Sequence, residues 1–269
     1  MTRGIDVAVF QGSIDWDRVK ASGIDFAMIK ATQGRALSSN SYLFTDRYFS
    51  KNIESACKAG IRCGVYHYLT AKTVKEAQTE ANHFIETIKP YKDRISLWAA
   101  VDVEEDKYLP KNKNLLTDIV RAFCEAVRSS GFAPMVYANR NYLVSRMNDI
   151  SDYPLWLALW RNKDNIPDGY TNMKIWQWGA EKVDGIANPV DSNFGYFDPP
   201  VSDGEYADSG IRAGDKVKVI HPILYGTKNR RFMRWYSSYD VIQVTGDRVV
   251  IGRGNTVTAA VSASNLQRI

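Results

Sequence analysis

Residues 95–106 read ISLWAAVDVEED, an apolar run that finishes in a cluster of carboxylates. Successive side chains of a strand point to opposite sides, so an extended reading of this run sets Trp98, Ala100, Asp102 and Glu104 on one face. The backbones of Asp102 and Glu104 then lie roughly 7 Å apart, two residues of strand rise, a spacing at which two carboxyls can serve one bond. Acidic residues after a strand more often sit in a solvated loop, and Glu105, Asp106 and Lys107 read that way. For Asp102 and Glu104 the choice turns on what the rest of the chain brings beside them.

Outward from this run, strand-like and helix-like segments alternate. GIDVAVF (4–10) precedes SIDWDRVKASG (13–23), with Ser13 as the expected N-cap; FAMIKATQG (26–34) precedes YFSKNIESACKAG (48–60); RCGVYHYL (62–69) precedes TVKEAQTEANHFIETIK (73–89). In the last of these Val74, Ala77, Ala81, Phe84, Ile85 and Ile88 recur at three- and four-residue steps and line one helix face. After the opening run come a helix around LLTDIVRAFCEAVRSSG (115–131), APMVYANR (133–140), a short helix NYLVSRM (141–147), PLWLALW (154–160) and MKIWQWG (173–179). Gly60 and Gly131 stand where helices end in a left-handed residue. Strand then helix, repeated five times, implies parallel strands with right-handed crossovers, in a barrel or an open doubly wound sheet. The turn-rich stretch NKDNIPDGYTN (162–172) between the late strands points to an eight-stranded barrel that loses its helices at the end. In such folds the reacting groups come from the C-terminal ends of strands, and the DVE triplet sits at that end of the fourth strand.

Near residue 198 the composition shifts. YFDPPVSDGEYADSGIRAGD is rich in Pro, Gly, Ser and Asp, as a linker is, and beyond it VKVI, RFMRWYSSYDVIQV, a turn at Thr245, Gly246 and Asp247, RVVIG and AAVSASNLQRI read as short strands of a small β-barrel. The boundaries are therefore placed at 1–200, a linker 201–209, and 210–269. The net charge of +5 divides unevenly: residues 210–269 hold ten Lys or Arg against three Asp, whereas residues 1–209 hold 25 basic and 27 acidic side chains.

Several function classes drop out. Cys57, Cys63 and Cys124 form no CxxC pair and fall in apolar helix or strand patterns, the pattern of reduced buried thiols. His67, His83 and His221 lack metal-site spacing, and GxxxxGK[ST], GxGxxG and GxSxG are absent, so no metal or cofactor is expected. No window is apolar enough for a membrane helix, and the opening MTRGIDVAVFQG lacks the core of a secretory signal, so the expectation is synthesis in a cytoplasm.

If the strands are parallel, other acids near strand ends converge on Asp102 and Glu104. Asp6, in GIDVAVFQG, and Asp191, in NPVDSNFG, are each set among apolar or small residues. Each alone reads as a turn cap; four acids at one barrel mouth read as a site. Taken in order, GIDVAVFQGSIDW, FAMIKATQG, GVYHYL, AAVDVEE, LWLALW, IWQWG and VDGIANPVDSNF resemble the landmarks of family 25 of the glycoside hydrolases, muramidase-type lysozymes of bacteria and phages, from about residue 4 to residue 197.

The resemblance implies an irregular TIM-like barrel of the (β/α)5β3 kind that hydrolyses the β-1,4 bond from N-acetylmuramic acid to N-acetylglucosamine in peptidoglycan. Glu104 would be the general acid and then base. Asp102 would orient the substrate's 2-acetamido group or attack directly, and Asp6 and Asp191 would complete the acidic floor. Tyr66, Tyr68, Tyr137, Trp156, Gln177 and Trp178 would meet the sugar, with Tyr66, Tyr137 and Gln177 foremost. One departure stands out: the family often reads ATEG where this chain has ATQG, with Gln33 in place of the glutamate. The tail resembles the bacterial SH3-like modules attached to wall-degrading enzymes, and its positive charge with Tyr225, Phe232, Trp235, Tyr236 and Tyr239 suits teichoic acid phosphates. The rivals are a single-strand nucleic-acid binder, since basic β-barrels with aromatics also hold single strands, and a wall-binding protein that has lost its chemistry. The match across the barrel weighs against the first and retention of all four acids against the second, so neither nucleic acid nor a membrane is an expected partner. Release from a cytoplasm to the wall fits an endolysin or an autolysin.

Overall fold

In a computed structural model, residues 1–35, 42–197, 211–225, 231–245, 248–254 and 256–269 are described. The chain divides into two units, Met1–Pro200 and Val201–Ile269. The residues assigned to the linker, 201–209, and Gly246 and Asp247 of the expected turn lie outside the described residues.

The first unit is a closed barrel of eight strands. β1 (Thr2–Val7), β2 (Phe26–Arg35), β4 (Arg62–Tyr68), β5 (Ile95–Asp102), β6 (Pro134–Asn139), β7 (Leu155–Ala158), β8 (Met173–Glu181) and β9 (Val190–Gly195) run around it, and the pairing of β1 with β2 closes the ring. The pairs from β1 through β2, β4, β5, β6 and β7 to β8 are parallel, whereas β9 lies antiparallel between β8 and β1. β3 (Tyr42–Thr45), which the alternation did not anticipate, extends β2 outside the ring as an antiparallel hairpin strand.

Among the described residues four helices make the crossovers: α1 (Trp16–Ala21), α2 (Phe49–Lys58), α3 (Val74–Ile88) and α4 (Lys113–Ser129). Thr73 caps α3 by accepting from the Glu76 N–H at 3.2 Å, and Asn112 caps α4 by accepting from Leu115 at 3.0 Å. The cap of α1 is Asp15, which accepts from Arg18 N at 3.2 Å, and not Ser13: the helix starts two residues later than the sequence pattern placed it. Gly60 and Gly131 follow α2 and α4 with φ of +75° and +78°, the conformation expected of them. The expected helix in NYLVSRM is a single π-type turn, Tyr142–Arg146. Helical wrapping therefore fades from β6 onward.

The barrel has two apolar layers because residues alternate in and out. Outward-facing Ile5, Ala27, Ile29, Val65, Ala99, Val101 and Val136 join the helix faces, including Phe84, Ile85, Val120 and Phe123. Inward-facing Phe26, Met28, Trp98, Ala100, Met135, Trp156 and Ile175 fill the lumen. The filling is tight: a Cβ on Gly4 would lie 2.3 Å from the Phe26 ring, and one on Gly64 2.4 Å from Met28 Sδ. The inward side chains thus plug the lumen beneath the C-terminal ends of the strands, where a cavity opens.

Beneath α3 a buried polar cluster ties that helix to β2 and β4. His67 and Glu80 are fully buried, with Nε2 and Oε2 2.8 Å apart, and His67 Nδ1 lies 2.7 Å from Thr32 Oγ1. Glu80 also accepts from the Thr70 N–H, the Thr70 hydroxyl and the Tyr42 hydroxyl. Burial lowers the His67 pKa, which fits a neutral ring donating from Nε2 to Glu80 and accepting the Thr32 proton at Nδ1.

The Val201–Ile269 unit is a five-stranded sheet, antiparallel throughout, built from β10 (Lys216–Val219), β11 (Tyr239–Thr245), β12 (Arg248–Arg253), β13 (Thr256–Ser262) and β14 (Leu266–Arg268). Val217, Tyr239, Val241, Ile251, Val261 and Leu266 form its core. The segment RFMRWYSS, expected as part of a strand with YDVIQV, is irregular apart from an isolated bridge between Arg231 and Ile223, and the strand starts only at Tyr239.

Candidate active site

At the C-terminal rim of the barrel lies a cavity of about 180 Å3 whose walls carry Asp6, Asp102, Glu104 and Asp191. Strand geometry brings them together. Asp6 on β1 and Asp191 on β9 are direct cross-strand partners, and Asp102 is the last residue of β5. The β5 ladder stops at Asp102, short of Glu104, but Val103 N still donates to Tyr137 O at 3.0 Å. That bond keeps the backbone extended for one more residue, so Glu104 reaches the same cavity.

A cradle of amides and hydroxyls holds the acids. Gln177 Nε2 donates to Asp6 Oδ2 at 3.0 Å and lies 3.4 Å from Asp191 Oδ2, while Asn193 Nδ2 donates to Asp6 Oδ2 at 2.8 Å. The Gln177 carbonyl oxygen in turn accepts from Tyr137 OH and Trp160 Nε1, each at 3.1 Å, which fixes the orientation of the amide. Tyr137 OH also lies 3.4 Å from Glu104 Oε2. Asp102 is different: it is buried, and its Oδ1 has no hydrogen-bond partner among the described residues. An orphaned carboxylate oxygen beside a cavity is a position for an incoming N–H or O–H donor.

The electrostatics follow from burial first and from the neighbouring charges second. Burial, then the charge of Asp191, pushes Asp6 up to about 7 against the pull of its two amide donors. Burial, then the charge of Glu104, holds Asp102 well above the usual carboxylate range, with Lys30 opposing. Glu104 stands at the rim with one side open to solvent, and the protein packed against its other side raises its carboxyl, opposed chiefly by the Tyr137 hydrogen bond. Asp191 is raised by burial as well. Four carboxyls in one small cavity thus retain protons that isolated acids would lose.

Of the six residues expected to meet a sugar, Tyr66, Tyr68, Tyr137, Trp156 and Gln177 line the cavity. Trp156 is 2 % exposed and stands edge-on to both Tyr66 and Tyr137, so it supports their rings more than it offers a face of its own. Trp178 does not join them. It follows the inward Gln177 on β8 and so points outward, where it stacks on Phe194 with ring centroids 6.0 Å apart. Strand parity therefore sets Trp178 apart from the cavity. Sequence reasoning missed Phe10, Gln11 and Lys30 in the lining, Trp160 and Asn193 among the partners of the acids, and the fact that Phe10 and Trp160 are 80 % and 61 % exposed. Phe10 lies in a short 3-10 turn, Val9–Gln11, just beyond the first strand, whereas the sequence pattern carried that strand through Phe10 and so gave no sign of a rim residue there. Among the described residues no group of His, Cys, Asp and Glu is placed to hold a metal ion.

A model of the family described as "Glycosyl hydrolases family 25" matches residues 5–185, which span β1 to the turn before β9. The chain belongs to that family. Among curated glycosyl hydrolase relatives, the "Autolytic lysozyme" of Clostridium acetobutylicum is 30% identical over 220 residues, covering 81% of this chain and 63% of the relative, so the chain spans less than two thirds of that protein. Among solved structures, a family 25 glycosyl hydrolase from Bacillus anthracis superposes with a TM-score of 0.60 at 27% identity, over 74% of this chain and 90% of that one. The CTP1L endolysin does so with a TM-score of 0.61 at 25% identity, over 72% and 66%.

Proposed function

We propose that this family 25 hydrolase is a muramidase that cleaves the β-1,4 bond from N-acetylmuramic acid to N-acetylglucosamine in bacterial peptidoglycan, from a barrel of (β/α)5β3 type. The observation that carries the reading is the convergence of Asp6, Asp102, Glu104 and Asp191 in one cavity beside Tyr66, Tyr137 and Gln177. Glu104, at the rim and raised above the usual carboxylate range, is the group able to give a proton to the leaving glycosidic oxygen. As that bond opens, positive charge develops on the ring, and the neighbouring acids stabilise it electrostatically.

The unpartnered Asp102 Oδ1 suits the N–H of a 2-acetamido group, which it would orient so that the acetamido carbonyl attacks the anomeric carbon from the face opposite the leaving oxygen. Glu104, now ionised, then removes a proton from water, and the water oxygen replaces the acetamido oxygen. Direct attack by Asp102 is the alternative nucleophile. Residues 210–269 are read as an SH3-like wall-binding module whose surplus of positive charge draws it to teichoic acid, with action at the cell wall after release.

Glu104→Gln is the test, read by mass spectrometry of digested walls. The expected result is an unchanged fold with cleavage lowered about 10²–10⁴-fold, the contribution of general acid–base catalysis, and muramic acid as the new reducing end in the parent digest. Retained activity would remove Glu104 from its role, and glucosamine at the reducing end would refute the bond assignment.

A further inference from the structure

The Val201–Ile269 unit contains a pocket of about 300 Å3 lined by Lys216, Trp235, Tyr236, Ser237, Ser238, Asp240 and Arg253. Trp235 and Tyr236 are 69 % and 40 % exposed there, and the sheet core is complete without Trp235. Their outward position is fixed through the backbone: the N–H groups of Trp235 and Tyr236 both donate to Tyr239 OH, at 3.0 and 3.3 Å, and the Tyr236 ring packs edge-on against Tyr239. A segment pinned by its amides leaves an indole face open to solvent at a defined place.

Charge completes the site. The Arg253 guanidinium lies 4.8 Å from the centre of the Tyr236 ring, and neither Arg253 nor Lys216 takes part in an ion pair among the described residues. Asp240, the one acid in the lining, accepts the Gly254 N–H at 2.9 Å. Two cations and two serine hydroxyls therefore surround an exposed aromatic face. A pyranose offers an apolar C–H face to such a ring, and a phosphate accepts from arginine, lysine and hydroxyl donors together.

We propose that this pocket binds a phosphate-bearing saccharide, its ring against Trp235 and its phosphate held by Lys216 and Arg253. The phosphodiester-linked polymers of bacterial walls are its source, an identification that rests on the wall-acting function argued above. The full chain carrying Glu104→Gln, which leaves walls undigested, is titrated with N-acetylglucosamine 1-phosphate while indole N–H resonances are followed by NMR. The expected result is a shift of the Trp235 resonance, with affinity at least tenfold weaker in a Trp235→Ala variant, in a Lys216→Gln, Arg253→Gln double variant, and for N-acetylglucosamine without phosphate. Variants that titrate like their parent, or equal binding of the neutral sugar, would overturn the pocket. Walls stripped of phosphodiester polymer by hydrofluoric acid should pellet the protein as poorly as intact walls pellet the Trp235→Ala variant; full retention on stripped walls would overturn the source. Neither readout involves bond cleavage, so failure here and failure of the muramidase reading are separately visible.

Discussion

Asparagine at position 6 keeps the shape of the native side chain and removes a charge that its surroundings resist. Its carbonyl oxygen can accept from Gln177 and Asn193 as Asp6 Oδ2 does, at 3.0 and 2.8 Å in the native site, and its amide faces Asp191 across the strand pair. Burial and the Asp191 charge raise the Asp6 carboxyl from 3.8 to about 7. Below about pH 4 both the folded and unfolded chains carry the proton, so ionisation of this group costs nothing. Between there and pH 7 the folded chain keeps a proton that the unfolded chain has released, so stability falls as pH rises; above pH 7 the whole loss is in place. Three pKa units correspond to about 4 kcal/mol, and titration shared with Asp191 brings the expectation to about 2–4 kcal/mol. Asp6→Asn should therefore gain that much stability over the parent between pH 4.5 and pH 8.5, read as the change in urea midpoint of the barrel transition at constant m. Its catalytic rate should fall, since the floor of the site loses an acid. Parallel pH–stability curves for the two proteins would refute the reasoning.

Glu80→Ala leaves His67 and Thr70 without their buried acceptor and should destabilise the barrel by about 3–5 kcal/mol, whereas Glu80→Gln, which keeps an acceptor oxygen, should cost less; thermal melts of both variants check this. Tyr137→Phe removes a hydroxyl that favours the ionised form of Glu104 and orients Gln177, so the pH limb assigned to Glu104 should move upward and kcat/KM should fall about 5–10-fold. An unchanged pH–rate profile would show that Tyr137 does not act on Glu104.

What the sequence carried and what it did not divide along physical lines. The acids were legible because each stands out of an apolar context and because strand parity puts Asp102 and Glu104 on one side; that argument survives the ladder ending at Asp102. The same parity, applied to β8, separates Gln177 from Trp178, and the aromatic character of Trp178 had obscured it. Ser13 and Asp15 are both good caps, and only the hydrogen bond from Arg18 N decides between them. Glu80 lay hidden because it sits on the buried face of α3 among alanines and phenylalanine, where a charge is unexpected until Thr70, Tyr42 and His67 are seen to satisfy it. The antiparallel course of β9 has no local signal at all. It follows from closure, since a short turn at residues 182–189 can join β8 only to a strand running the other way.

The glutamine at position 33 takes its meaning from Lys30. The Lys30 ammonium donates to Gln33 Oε1 at 2.8 Å and lies 4.7 Å from the centre of the Tyr68 ring. Burial lowers its pKa while Asp102, Asp46 and Glu104 support its charge. A glutamate at position 33 would claim that charge in an ion pair, whereas a neutral amide fixes the ammonium without neutralising it and leaves its field to Asp102 and Glu104. Burial comes first in raising each of the four carboxyls, and Lys30 beside them cannot keep all of them ionised, so protons stay in the cavity as a property of the group rather than of any one side chain. On the proposed mechanism an acetamido N–H reaching Asp102 Oδ1 would favour the ionised form of Asp102 and relocate a proton among its neighbours. Substrate binding and the arming of Glu104 would then be a single electrostatic event, and the pH dependence of binding would follow the acids as a group rather than Glu104 alone.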